Sequence, residues 1–220
     1  MILDKKKKYL QIALNRTLPE VESMIEQLPS SNKIIIEVGY PFIKMYGHAG
    51  IRKISNLWAQ KTKYAYVVAD MKCMDRADTE VMIAKNGGAK AVTCLGLAPV
   101  ETINQFISAC KDKNMDSILD MMNIKFPFEI LQKLKRIPDI IMLHRGVDEK
   151  GNREIMIPHN QITRIKGTYD VMIAVAGGET LKETTRTFFN DADISVVWEG
   201  FYNDPTGISK LTEDFLKLIR

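Results

Sequence analysis

Eight short runs of apolar, often β-branched residues recur along the chain at intervals of roughly 22 to 32 residues, and each is followed by a segment with helical spacing. The runs are Tyr9–Leu14, Lys33–Val38, Tyr64–Asp70, Ala89–Cys94, Asp116–Met121, Asp139–Leu143, Asp170–Val175 and Ile194–Val197. Several are almost continuously apolar, as parallel strands covered on both faces should be. The pattern therefore predicts the α/β class and eight βα units closed into one (β/α)8 TIM barrel. Between the runs, Val100, Ile103, Ile107 and Cys110 share a helix face behind Pro99, and Ile208, Leu211, Phe215 and Leu218 repeat that stripe. These positions, like most of the twelve methionines, read as packing. An open doubly wound nucleotide-binding sheet would want G-x-G-x-x-G after the first strand, where Asn15-Arg16-Thr17 stands.

No Pro/Gly/Ser-rich linker divides the chain, so a single domain over residues 1–220 is expected, with residues 1–8 as a basic, solvated N-terminal arm. The net charge of +4 is small, and the run Lys5 to Lys8 has no aromatic residues interleaved with a basic face elsewhere, so nucleic acid is not an expected partner. Cys73, Cys94 and Cys110 are odd in number and lack C-x-x-C spacing, which points to reduced thiols in the cytoplasm. No apolar stretch approaches 18 residues and no secretory pattern is present, so neither a membrane span nor export is expected.

In a parallel barrel, chemistry gathers at the carboxyl ends of the strands. The polar residues predicted there are Asn15, Glu37, Asp70 with Lys72, Asp120 with Asn123, His144, and the pair Gly177-Gly178. Asp70-x-Lys72-x-x-Asp75 is the densest group: alternation puts Asp70 and Lys72 on one side, and Asp75 begins the next turn. A lysine between two carboxylates keeps its proton, so Lys72 suits stabilising or protonating a carbanion or enediolate and not a Schiff base. Glu37 and Asp70, on adjacent strand ends, suit Mg²⁺, which takes one or two protein acids and keeps several waters. His144 is a candidate general acid/base; His48 and His159 lack such a setting. Gly177-Gly178 fits either a phosphate approached by backbone N–H groups or an ordinary tight turn. Gly146–Lys166 is the longest candidate active-site loop.

Leu10-Gln11-Ile12-Ala13-Leu14, Glu37-Val38-Gly39, Asp70-x-Lys72-x-x-Asp75, Leu119-Asp120-Met121-Met122-Asn123, Leu143-His144-Arg145-Gly146-Val147-Asp148 and Ala174-Val175-Ala176-Gly177-Gly178 together resemble 3-hexulose-6-phosphate synthase, of the orotidine-5′-phosphate decarboxylase suprafamily. The wording around Asp120 and His144 is most similar to the synthase domain fused to formaldehyde-activating enzyme in methanogenic archaea; no counterpart of the fused domain occurs in these 220 residues. The resemblance implies a lyase that adds formaldehyde to ribulose 5-phosphate. It further implies Mg²⁺ on Glu37 and Asp70, and catalytic roles for Asp70, Lys72, Asp75 and His144. Substrate contacts would fall to Asn15, Glu37, Asp120, Gly177 and Gly178. It also implies a homodimer with shared sites, Asp75 reaching into the neighbour's.

Four departures bear on the substrate. Asn15 stands where the family usually has aspartate, Gly39-Tyr40-Pro41 replaces Gly-Thr-Pro, Glu179 follows the glycine pair, and Val197-Trp198-Glu199-Gly200 replaces the Gly-Arg that grips phosphate. Losing that arginine and gaining two acids weakens a phosphate site; Arg145, Lys182 and Arg186 are the candidates to compensate. Two alternatives therefore stand beside the synthase reading: the same machinery acting on a different, unphosphorylated substrate, and a non-catalytic binding or regulatory barrel. Orotidine monophosphate decarboxylation fits less well, because Glu37 resembles the metal-binding branch.

Overall fold

The computed structural model describes residues 1–151, 159–178, 180–204 and 206–219. Eight parallel strands close in sequence order, each bonded to the next and β8 to β1. They are β1 (Tyr9–Leu14), β2 (Ile34–Val38), β3 (Val67–Cys73), β4 (Ala91–Leu95), β5 (Asp116–Asp120), β6 (Ile140–His144), β7 (Met172–Ala176) and β8 (Ile194–Val197). The helices are α1 (Leu18–Gln27), α2 (Tyr40–Lys61), α3 (Ala77–Asn86), α4 (Val100–Asp112), α5 (Pro127–Leu131), α6 (Asn160–Thr168), α7 (Leu181–Phe189), α8 (Glu199–Asn203) and α9 (Ile208–Lys217). The predicted TIM barrel is the observed one, and all eight runs supply a strand.

Period-two alternation divides the core in two. Ile35, Val68, Ile118, Ile140 and Met172 belong to a cluster that fills the barrel, while Ile12, Ile36, Leu119 and Ile141, one residue out of phase, pack under the helices with Trp58, Phe106 and Phe215. The helix face predicted behind Pro99 is buried at Ile103, Ile107 and Cys110. Inward positions are apolar through the middle of the barrel and become polar only toward the carboxyl ends, which is what prepares a site there.

Three expectations change. The N-terminal arm keeps Lys5, Lys6 and Lys7 exposed but is docked at its start: the Ile2 and Leu3 N–H groups donate to the Asp116 carboxylate at 2.6 and 3.2 Å, joined by the Tyr66 hydroxyl at 2.7 Å. A carboxylate buried at the barrel floor requires such donors, and the arm brings them. The loop Gly146–Lys166 is shorter than expected, since Val147–Gly151 forms a 3-10 turn and α6 contains Lys166; residues 152–158 of it lie outside the described residues. Finally, β3 runs on to Cys73, past its predicted end at Asp70.

Ile118 is fully buried inside the barrel, two residues before Asp120 on the same inward face. Ile118→Ala removes that filling and is expected to cost about 2–5 kcal/mol of unfolding free energy, read as a lower urea midpoint with unchanged slope.

Candidate active site

The site begins with an irregularity in β3. Ala69 pairs with Val92 but Cys73 pairs with Cys94, so β3 carries two more residues than β4 across this stretch. Lys72 lies in the bulge with φ 48, in the left-handed region. A bulge of this kind re-aims a side chain, and Lys72 stands on the same side as Asp70, as alternation predicts. Thr93 of β4 ties the bulge down: its hydroxyl accepts the Lys72 backbone N–H at 3.0 Å and donates to Asp70 Oδ1 at 2.7 Å.

Lys72 Nζ then lies 3.2 Å from Asp70 Oδ2 and 2.9 Å from Asp120 Oδ2. His144 Nδ1 meets the same Asp120 oxygen at 2.8 Å, and the Met122 N–H donates to Oδ1 at 3.0 Å. Asp120 is 0 % exposed. Burial would raise its carboxyl, but the charge and hydrogen bond of His144, followed by those of Lys72, hold it at about 2. Burial likewise works against the Lys72 ammonium, yet Asp70 and then Asp120 raise its pKa above the ordinary lysine value. The His144 imidazole is disfavoured as a cation by burial but raised overall by Asp120. An ionised carboxylate only accepts, so Nδ1 of His144 carries the proton and Nε2 is left to exchange protons with a ligand.

Glu37, 7 % exposed, comes from β2 and accepts a hydrogen bond from Gln11 Nε2. Burial, then repulsion from Asp70, pushes its carboxyl up to about 7. Two mutually repelling carboxylates that line one cavity fit a divalent cation, whose charge would relieve their repulsion; hard oxygen donors of this number suit Mg²⁺. Among the described residues no cluster of three or more His, Cys, Asp or Glu could hold a metal, so water or substrate oxygens would complete the shell.

These groups open into a cavity of about 520 Å³ at the carboxyl ends of the strands, lined by Asn15, Glu37, Tyr40, Asp70, Lys72, Asn123, His144, Arg145, Gly177 and Trp198 among others. Asn15 enters because Gly39 lets it: a Cβ on Gly39 would lie 1.8 Å from Asn15 Oδ1. The Tyr40 ring stands 5.5 Å from Lys72 Nζ, within cation–π reach.

Three candidates sit elsewhere than expected. Asp75 is exposed in a separate shallow groove with Arg76, Asp78 and Glu101, so the second carboxylate on Lys72 is Asp120 in place of Asp75. Asp120 is not among the residues that line the cavity; it lies beneath Lys72 and His144 and bonds to both. Gly178 is buried behind the wall that Gly177 lines. Of the three compensating cations considered, Arg145 alone lines the cavity; Lys182 and Arg186 do not. Glu179 lies outside the described residues. Thr93 and Gln11 were not anticipated, and only their inward phase on β4 and β1 hinted at them.

Residues 8–201 match the Orotidine 5'-phosphate decarboxylase / HUMPS family. The chain belongs to that family. Its relatives include proteins named bifunctional enzyme Fae/Hps from Methanocella arvoryzae, 36 % identical over 89 % of this chain, and from Methanosarcina mazei, 34 % identical over 94 %. The chain spans about half the length of these relatives, 49 % and 52 % respectively. A solved 3-hexulose-6-phosphate synthase from Salmonella typhimurium superposes with a TM-score of 0.84 at 25 % identity, covering 96 % of this chain and 97 % of that one. Among the described residues no helix is long and apolar enough to cross a membrane.

Asp120→Asn removes the negative charge that favours the imidazolium, so the pKa of His144 is expected to fall, read from its ring-proton shifts in an NMR pH titration. An unchanged His144 titration would remove Asp120 from the role of organising charge.

Proposed function

We propose that the chain is a Mg²⁺-dependent aldehyde-lyase of the 3-hexulose-6-phosphate synthase type, joining formaldehyde to ribulose 5-phosphate through an enediolate. It would work in the cytoplasm as a homodimer, with Asp75 of each subunit completing the other's site. The observation that carries this reading is one ionised carboxylate, Asp120, holding both a permanent ammonium and a proton-exchanging imidazole beside two further acids at the barrel mouth.

Each group has a task that follows from its surroundings. Lys72 is held cationic and stabilises negative charge as the enediolate forms, without covalent attachment. His144 moves a proton at Nε2, its ring fixed by Asp120; the raised pKa keeps a protonated share available near neutral pH. Asp70, anchored by Thr93, neutralises Lys72 from the second side. Glu37 and Asp70 would hold Mg²⁺, which supplies Lewis-acid polarisation of the substrate oxygens. Tyr40 and Trp198 line the same cavity and would give the substrate an aromatic wall beside the reacting end.

Ribulose 5-phosphate consumption that depends on formaldehyde, is abolished by EDTA and returns with Mg²⁺ is the expected result; Lys72→Ala is expected to lower turnover about 10²- to 10³-fold. No turnover by folded, dimeric protein would contradict the reading.

Trp198 in the cavity wall favours a second reading, in which the same machinery serves an unphosphorylated substrate. Thermal-shift measurements with phosphorylated and neutral sugars separate the two. Stabilisation by neutral sugars alone supports the second, and stabilisation by phosphosugars alone removes it.

A further inference from the structure

The β6–β7 side of the cavity mouth holds a cation that the steps above do not use. Arg145 directly follows His144 and lines the same cavity. Its backbone N–H donates to the Ala176 carbonyl at 3.1 Å and its Nη2 to the Gly177 carbonyl at 2.6 Å, which ties the guanidinium to the end of β7. Gly177 makes the fit possible: it has φ 97, and a Cβ there would lie 2.5 Å from the Arg145 carbonyl oxygen. The Arg145 Nε is enclosed and has no acceptor. Enclosed N–H groups are normally satisfied, so an unmet one beside a cavity marks where an acceptor is wanted.

The other two cationic groups of the cavity are committed, Lys72 to Asp70 and Asp120, and His144 to Asp120. Arg145 forms no ion pair among the described residues. The acids beside it do not occupy it: Glu149 accepts the Gly146 N–H at 2.6 Å, and Asp148 is on the exposed rim. Glu37 and Asp70 line the cavity on the β2–β3 side with Lys72 between them and Asp120, whereas on the β6–β7 side Arg145 lines it beside Asp148 and Glu149, neither of which pairs with it. The guanidinium is therefore the cation on that side that an anionic end of a ligand can meet, with the ligand's neutral end toward Lys72 and His144.

We propose that Arg145 is the specificity-determining residue for an anionic substrate, its guanidinium taking oxygens of a phosphate monoester at the end of β7, where β8 itself is followed by Trp198 and Glu199 and offers no cation. The inference rests on the reading above that the substrate is a phosphosugar. A guanidinium presents several N–H donors in a fixed fork that matches phosphate oxygens, and one of them is already anchored.

The test compares wild type, Arg145→Gln and Arg145→Lys, each checked for folding by thermal melt, in formaldehyde-dependent consumption of ribulose 5-phosphate, with inorganic phosphate as inhibitor. Arg145→Gln is expected to raise KM about 10- to 100-fold and to weaken phosphate inhibition in parallel, with kcat within about threefold. Arg145→Lys keeps the charge but loses the fork and is expected to give a smaller rise; it decides the matter if Arg145→Gln does not fold. Unchanged KM and unchanged phosphate inhibition in a folded variant overturn the assignment and leave the lyase reading standing. If the wild type shows no turnover, the lyase reading fails and binding of inorganic phosphate, measured by calorimetry, decides alone. Binding lost in the variant upholds the anion site, and equal or absent binding in both overturns it.

Discussion

One buried carboxylate organises the site. Asp120 is fully enclosed, and isolated ionisation there would be costly; it stays ionised because Lys72 and His144 both bond to its Oδ2 atom. The dependence is mutual. Asp120 keeps Lys72 cationic in a half-enclosed place, and it fixes which nitrogen of His144 carries the proton. Removing any one of the three leaves charge unbalanced among the other two, so the triad acts as a unit whose energetics are not additive.

The barrel makes that unit possible by a change of residue type along one phase. On β5, Ile118 faces inward as apolar filling and Asp120, two residues on, is the hub; on β6 the same step leads from Met142 to His144. Each strand thereby contributes to the packing of the barrel with its middle and to the site with its end. β3 adds a bulge at Lys72, and Thr93 on β4 holds it through two hydrogen bonds, one to the Lys72 backbone and one to Asp70. The cavity is lined by Glu37, Asp70 and Lys72 on one side and by Arg145, Asp148 and Glu149 on another, with Tyr40 and Trp198 in the same wall.

The parts of this arrangement that depend on local pattern were legible in the sequence. Strand runs, helix faces and the polar residues at strand ends come from periodicity, and they located Glu37, Asp70, Lys72 and His144 correctly in the cavity wall. What was not legible depends on contacts between distant segments. Asp75 looked like the second partner of Lys72 because it is three residues away; Asp120, 48 residues on, takes that place because β5 lies one strand beyond β4, within reach of the bulge. Thr93 and Gln11 look like ordinary strand residues, and only the neighbouring strands give them their roles. The docking of the N-terminal arm was hidden for the same reason, since Asp116 gives no sign in sequence that it needs donors from Ile2 and Leu3.

Membership of the orotidine 5'-phosphate decarboxylase / HUMPS family and the superposition on a 3-hexulose-6-phosphate synthase agree with the proposed lyase reading of the site. The departures at Asn15, Tyr40 and Trp198 all lie in the cavity wall, so any change of substrate would be made there while the Asp120 triad is kept. The most direct test is a crystal structure with Mg²⁺ and a ribulose 5-phosphate analogue. The account predicts the ion between Glu37 and Asp70, the analogue's carbonyl end against Lys72 and His144, and its phosphate on Arg145 and Gly177. An analogue bound away from Lys72, or no ion on the two carboxylates at saturating Mg²⁺, would contradict it.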